Sequence, residues 1–120
     1  AAAMGWRDFA QAVDAGFTRD GWRVQRTDST REGDADFVIR RGTVTAVVAA
    51  RRWKAARVGE EQLRQLLASR DAHGASQCVL LTLGQVPESA AALAKAERVQ
   101  IMQGEPLAQL LRHLASGKTP

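Results

Sequence analysis

The spacing of hydrophobic residues near the start of the chain changes from a helical period to a strand period. Phe9, Val13 and Phe17 are four residues apart, which places them on one face of a helix. Asp20-Gly21 follows as a helix stop signal. Trp22–Arg26 then alternates between apolar and polar residues, as a short strand does. The pattern predicts an opening helix followed by a strand.

Two β-branched segments in the middle of the chain predict a hairpin. They cover Asp36–Arg40 and Thr43–Ala50 and are separated by Arg41-Gly42, whereas the preceding residues 27–34 are polar and predict a loop. The second segment is apolar at nearly every position. Such a strand is typical of the middle of a sheet that is covered on both faces.

The second half of the chain alternates helices with strands. In order, it predicts a helix carrying Leu63, Leu66 and Leu67 and ending at His73-Gly74, a strand over Gln77–Leu83, a helix over Glu88–Glu97, a strand over Val99–Met102, and a helix that starts at Pro106. The complete order is α-β-β-β-α-β-α-β-α. It predicts an α/β fold in which crossover units adjoin a partly antiparallel sheet with helices on both faces.

Composition limits the class of protein. The 120 residues suit one domain, which we place at residues 5–116, with residues 1–4 and 117–120 as flexible ends or expression remnants. No apolar run approaches the roughly 18 residues that a membrane helix needs. The lone Cys78 excludes an internal disulfide and is expected to be a buried thiol, which fits a cytoplasmic location. The net charge of +4 is compatible with a phosphate-rich partner without establishing one.

Several short motifs follow one another along the chain from Arg7 to Leu114. They are Gly21-Trp22-Arg23-Val24 after the opening helix, Glu32-Gly33-Asp34-Ala35-Asp36 before the hairpin, Val47–Lys54, Gly74–Thr82 and Val99–Met102. In this order they resemble the Mrr-like branch of the PD-(D/E)xK nuclease superfamily. The resemblance implies a restriction-endonuclease-like three-layer sandwich, with a central mixed β-sheet flanked by helices.

The resemblance also implies a nuclease site that uses Mg²⁺ and no small-molecule cofactor. In the family, a carboxylate at the start of the hairpin is joined by a Glu or Gln on the next strand, a Lys two residues later and, in many members, a Glu on the opening helix. Asp36 keeps the first position as metal ligand and candidate catalytic residue, whereas Ala49, Arg51 (the second candidate catalytic residue) and Ala10 occupy the others. Arg51 stays charged and cannot act as a base, but it can stabilise negative charge or clamp a phosphate. We expect cleavage to be impaired or lost.

Two residues offer ways to rebuild the site. Lys54 could replace the missing lysine if the strand ends or bulges before it, because its strand parity is opposite to that of Arg51. Asp34 has the same parity as Asp36 and could supply a second carboxylate, although a loop residue is the simpler interpretation. Asp36 itself either binds a metal ion or pairs with Arg51 as a structural remnant of the metal site.

A cluster of cations follows the second hairpin segment. Arg51, Arg52, Lys54 and Arg57 are the four cations among seven residues that also include Trp53. In the implied fold this stretch leaves the sheet beside the cleft, where it predicts contact with DNA phosphates. The alternative is a solvated turn with Trp53 at the edge of the core. Residues expected to extend the patch are Arg31, Arg23 and Arg26, whereas Arg40 and Arg41 are expected only to flank the hairpin turn.

Three functions stay open at this point. The leading hypothesis is a domain that binds double-stranded DNA and has an impaired or lost active site. The second is an active Mg²⁺-dependent endodeoxyribonuclease with a rearranged centre. The third is a protein-interaction domain on a nuclease scaffold, and a homodimer fits any of the three. His73 and His113 are isolated from other metal-binding residue types in sequence, so no zinc site is predicted.

Overall fold

The structure, a computed structural model, describes residues 4–27 and 34–116, with side chains up to residue 112. Its nine elements appear in the predicted order. They are α1 (Trp6–Arg19), β1 (Arg23–Arg26), β2 (Phe37–Arg41), β3 (Val44–Ala49), α2 (Glu60–Ala72), β4 (Gln77–Leu81), α3 (Glu88–Glu97), β5 (Val99–Met102) and α4 (Gly104–Ser116).

The five strands form one mixed sheet with the order β1-β2-β3-β4-β5. The first three strands are antiparallel, and their hairpin register pairs Phe37 with Val48 and Arg41 with Val44. The turn between them contains Gly42 at φ 60°, a backbone conformation that glycine adopts without steric cost. The last three strands are parallel and are joined through α2 and α3. The chain therefore forms the predicted three-layer α/β sandwich.

Two hydrophobic cores cover the two faces of the sheet. The core on the side of α1 and α4 includes Phe9, Val13, Phe37, Val48, Leu107 and Leu110. The core on the side of α2 and α3 includes Val38, Val47, Leu63, Leu66, Leu80 and Val99. Because Val47 and Val48 belong to different cores, β3 is buried on both faces. This confirms the prediction of a central, doubly covered strand.

Helix α1 packs closely against α4. A Cβ atom at Gly16 would clash with the backbone carbonyl oxygen and the side chain of Leu110, so only glycine allows this approach. The predicted apolar stripe of α1 faces this contact and the sheet, since Phe9, Val13 and Phe17 are all buried. The contact anchors the helix that places Trp6 and Ala10 beside the ends of the central strands.

The prediction of a strand over Gln77–Leu83 is wrong for its last two residues. Strand β4 ends at Leu81, and the chain then turns, with the Gly84 N–H donating to Thr82 Oγ1 at 2.9 Å. Leu83 lies in this turn and is 62% exposed. The last helix also begins two residues before Pro106, which sits in its first turn, where no intrahelical partner for an N–H is needed.

Cys78 lies inside the sheet as predicted. It is 2% exposed, and its thiol lies 4.0 Å from the carbonyl oxygen of Leu66. Burial raises the pKa of the Cys78 thiol above its ordinary value, because the thiolate would lose its hydration. Within residues 4–27 and 34–116, no helix has both the length and the apolar character needed to cross a membrane.

Candidate nucleic-acid interface at the end of the central strands

The candidate site lies where β2 starts and β3 ends. Asp36 directly precedes β2, and its backbone N–H donates to the Val48 carbonyl oxygen at 2.8 Å. The first pair in the hairpin register is Phe37 with Val48, so Asp36 lies beside the end of β3, where Ala49 is the last residue. The Asp36 carboxylate faces Arg51, which lies over Trp6 of α1, whereas Ala49 packs against the core on the side of α2 and α3. The second position that the family resemblance assigns to a metal ligand therefore carries only a methyl group, which packs against that core.

The Asp36 carboxylate caps the end of β3. Its Oδ2 atom accepts hydrogen bonds from the backbone N–H groups of Ala50, at 2.7 Å, and Arg51, at 2.8 Å. Its Oδ1 atom lies 3.5 Å from Nε of Arg51, and the Asp36 side chain is 12% exposed. The ion pair that we predicted as an alternative to metal binding is present. Asp36 thus accepts hydrogen bonds from the backbone N–H groups of the two residues that follow β3.

The Arg51 guanidinium is held between an acid and an aromatic ring. Its central carbon lies 4.7 Å from the ring centroid of Trp6 on α1, while Nε faces Asp36. A cation over an indole face is attracted by the electron density of the ring. The Arg51 side chain is nevertheless 63% exposed, so part of its guanidinium surface faces solvent. This geometry suits contact with an anion that approaches from solvent.

Trp53 belongs to the core rather than to the surface. It is 7% exposed and stacks on Phe9, with ring centroids 3.8 Å apart and planes inclined by 1°. The alternative interpretation of Trp53 as the edge of the core is therefore confirmed. Lys54 is exposed, and its ammonium lies 5.0 Å from the centroid of the Trp53 ring. Because β3 ends at Ala49, the condition that we set for Lys54 to approach the site is met.

The segment of residues 51–57, which we call the basic turn, is bound to the turn after β4. Leu83 N–H donates to the Trp53 carbonyl oxygen at 2.9 Å, and Gln85 N–H donates to that of Ala56 at 2.9 Å. A Cβ atom at Gly84 would clash with the carbonyl oxygen of Ala55. The two turns can therefore pack this closely only because residue 84 is glycine. The basic turn therefore holds its cations on a fixed backbone.

The cations predicted to bind DNA divide into three groups. Arg51, Arg52, Lys54 and Arg57 of the basic turn are all exposed. Arg31 lies outside the described residues. The other two residues expected to extend the patch lie on different faces of β1: Arg26 pairs with Asp14 of α1 at 3.7 Å, whereas Arg23 lies on the opposite face.

Asp34 connects the start of β2 to α2. Its Oδ1 atom accepts hydrogen bonds from the Ser69 hydroxyl at 2.5 Å and from the Ala35 N–H at 2.9 Å. The same oxygen lies 3.6 Å from Nε2 of His73. These contacts explain why a polar residue, Ser69, is buried in α2. They favour the interpretation of Asp34 as a structural loop residue over that of a second metal ligand.

The described side chains around Asp36 do not fit a divalent metal ion. Mg²⁺ requires several oxygen ligands in near-octahedral geometry. Both oxygens of Asp36 already have partners, and the side chains of Ala49 and the buried Ala10 contain no oxygen. Across the described part of the chain, no group of three or more His, Cys, Asp or Glu residues is placed to hold a metal.

Sequence reasoning missed Trp6 as the partner of Arg51. The available signal was its position three residues before Phe9 and four before Ala10, which puts all three on one face of α1. Trp6 is also tilted against Phe9 and Phe37, with ring centroids 6.5 and 6.3 Å apart. It therefore links the cation of the site to the core.

Sequence comparison identifies the family. The model of the Mrr_cat family, described as restriction endonuclease, matches residues 1–111. The chain belongs to the Mrr_cat restriction endonuclease family. Its members share the nuclease fold predicted from the motifs, so the resemblance is confirmed. Among curated proteins, none matches this chain significantly.

Solved structures of nucleases share the fold at low sequence identity. A repair endonuclease from Pyrococcus abyssi has a TM-score of 0.64 and 16% identity, over 88% of this chain and 49% of its own. The EndoMS-dsDNA2 complex gives 0.63 and 17%, over 88% and 47%. The MspJI restriction endonuclease in complex with a 27-mer oligonucleotide gives 0.60 and 20%, over 89% and 27%. The chain thus spans about half the length of the first two and about a quarter of the third.

Proposed function

We propose that this Mrr_cat domain binds the phosphate backbone of double-stranded DNA and no longer hydrolyses it. The observation that carries the proposal is the state of Asp36, whose carboxylate caps the end of β3 and pairs with Arg51. In the place of a metal ion, the site holds a guanidinium.

Binding is supported by the placement of the cations. The basic turn presents Arg51, Arg52, Lys54 and Arg57 on a backbone fixed by hydrogen bonds to the turn after β4. Phosphate contacts of this kind give affinity with little reading of sequence. Two of the nucleases with the same fold are described with DNA or an oligonucleotide. Because Trp53 is buried in the core, we assign it no stacking on bases.

Loss of hydrolysis is supported by the missing chemistry. Hydrolysis of a phosphodiester requires activation of a water molecule and stabilisation of the charge on the leaving oxygen. Arg51 could stabilise charge, but a guanidinium stays protonated and cannot remove a proton from water. Ala49 and Ala10 supply no oxygen ligand.

Titration of a fluorescent duplex at 50 and 200 mM salt tests binding. If each of the four cations neutralises one phosphate, the slope of log K against log salt is about −3.6, which corresponds to a loss of about 150-fold over this range. Replacing Arg52 and Arg57 with alanine should make the slope shallower by about 2. Lys95→Ala on α3 removes one cation outside the basic turn and should leave the slope unchanged. Absence of binding at 50 mM salt, or a binding constant that does not change with salt concentration, refutes the proposal.

Nicking of supercoiled plasmid tests hydrolysis. We expect none from the wild type with Mg²⁺ or Mn²⁺. Hydrolysis that EDTA abolishes and that Asp36→Ala removes would establish the alternative, an active nuclease with a rearranged centre. The variant Ala49→Glu with Arg51→Lys restores the side chains that the family uses, so it should bind Mn²⁺ more tightly than the wild type in a calorimetric titration. A homodimer without any DNA binding would instead favour the protein-interaction domain.

A further inference from the structure

Within residues 4–27 and 34–116, the outer strands of the sheet are less covered on the side of α2 than β3, β4 and β5 are. Helices α2 and α3 pack mainly on β3, β4 and β5, and on the outer strands Arg23, Gln25 and Arg40 are exposed. Two adjoining clefts, of about 370 and 200 Å³, lie on this part of the surface and are both lined by Gln25 and Arg40. We call the surface formed by Arg23, Gln25 and Arg40 the open face.

Two arginines stand directly opposite each other on the open face. Arg23 of β1 pairs in register with Arg40 of β2, so their side chains leave the same face of the sheet. Like charges in this position repel each other and destabilise a sheet. The described partner of Arg40 is the neutral Oε1 atom of Gln25, at 3.2 Å, and no described carboxylate pairs with either arginine. Asp34 lines the larger cleft together with Arg40, whereas the smaller cleft, lined by Arg23, Val24, Gln25 and Arg40, contains no described carboxylate. The arrangement therefore concentrates positive charge at the smaller cleft.

The neighbouring Arg41 shows what a structural arginine looks like in this hairpin. Its guanidinium carbon lies 4.3 Å from the ring centroid of Trp22, and Nη1 donates to the Asp20 carbonyl oxygen at 3.0 Å. Both contacts are on the opposite face from Arg40. Both residues flank the hairpin turn, and strand alternation turns Arg40 towards the open face and Arg41 away from it.

We propose that the open face is a second contact for the phosphate backbone of the duplex that binds at the basic turn; this inference rests on the proposed function. Arg40 lies four residues along β2 from Asp36, or about 14 Å at the rise of an antiparallel strand. That distance is close to the width of the major groove, roughly 12 Å. The backbone of Arg51, which is bound to Asp36, and that of Arg40 are thus about one groove width apart, which would allow the two surfaces to contact the two backbones that border one groove. A bound phosphate chain would also supply Arg23 and Arg40 with negative charge that no carboxylate of the described residues provides.

The experiment compares the variant Arg23→Ala with Arg40→Ala against Arg41→Ala in duplex titrations at several salt concentrations. The double variant should weaken binding about 10-fold at 50 mM salt and make the salt slope shallower by about 2. Arg41→Ala removes a charge from the neighbouring residue on the other face and should leave the slope unchanged. Because the double variant relieves a repulsion, its urea midpoint should be at least that of the wild type.

The outcomes separate this inference from the function on which it rests. If the basic-turn variants weaken binding and the open-face variant does not, the second contact is wrong and the proposed function stands. If Arg41→Ala changes the slope as much as the double variant does, the effect is one of overall charge, and the second contact is also wrong. If the wild type binds no duplex, both fail. A change in oligomeric state of the open-face variant, with unchanged DNA affinity, would assign the surface to a protein partner instead.

Discussion

Replacing Asp36 with alanine separates a structural role from a metal-binding one. The change removes the acceptor for two backbone N–H groups, at 2.7 and 2.8 Å, and the partner of the Arg51 guanidinium. Hydrogen bonds to charged groups contribute about 1.5–3 kcal/mol each. The N–H groups can partly turn to water at the end of a strand, which lowers the loss. The ion pair adds at most about 1 kcal/mol, because Arg51 is mostly exposed.

We therefore expect Asp36→Ala to lower the free energy of unfolding by about 2–4 kcal/mol. Asp36→Asn keeps an oxygen that can accept from both N–H groups, so it should cost about half as much. The control is Arg51→Ala, which leaves both backbone hydrogen bonds in place and should cost less than about 1 kcal/mol. Urea denaturation followed by tryptophan fluorescence measures all three variants against the wild type.

Repeating the denaturation with Mg²⁺ tests the metal-binding role directly. A ligand that binds only the folded state raises its stability with concentration, by about 2.7 kcal/mol at a hundred times its dissociation constant. We expect the wild-type midpoint to be the same in 10 mM Mg²⁺ and in EDTA. A midpoint that rises with Mg²⁺ in the wild type but not in Asp36→Ala, or an Asp36→Ala variant as stable as the wild type, would refute the structural role.

Three further predictions concern the surroundings of the site. Trp53→Ala should lower the free energy of unfolding by about 3–5 kcal/mol, because the indole ring is buried and stacks on Phe9. A denaturation midpoint near that of the wild type would contradict the stacking. Gly84→Ala should shift the thermal midpoint down by more than Gly59→Ala, which has open space around the added methyl group and loses only a favourable N-cap residue of α2. Equal shifts would mean that the two turns are not tightly joined. Since burial raises the pKa of the Cys78 thiol, a disulfide reagent at pH 8 should label the folded protein far more slowly than the protein in urea, and equal rates would exclude this burial.

The order of the helices and strands follows from local patterns. The four-residue spacing of Phe9, Val13 and Phe17 and the two-sided apolar run of β3 predict the observed elements, because helix and strand periods are properties of consecutive residues. The family motifs add the topology of the sheet, which periodicity alone leaves open. The sequence also suggested the ion pair between Asp36 and Arg51, because the family resemblance places both positions in one site.

Which segments distant in sequence contact one another could be learned only from the tertiary structure. Alternation predicts that Arg40 and Arg41 point to opposite faces, but only the packing of α2 and α3 decides which of those faces stays open. In the same way, the ring that supports Arg51 comes from α1, and the carboxylate of Asp34 finds its partners on α2. Side-chain periods are set by the local backbone, whereas the covering of a face depends on where elements many residues away come to lie. The sequence therefore determines the elements and the chemical groups, and the tertiary structure decides which of these groups meet one another and which face solvent.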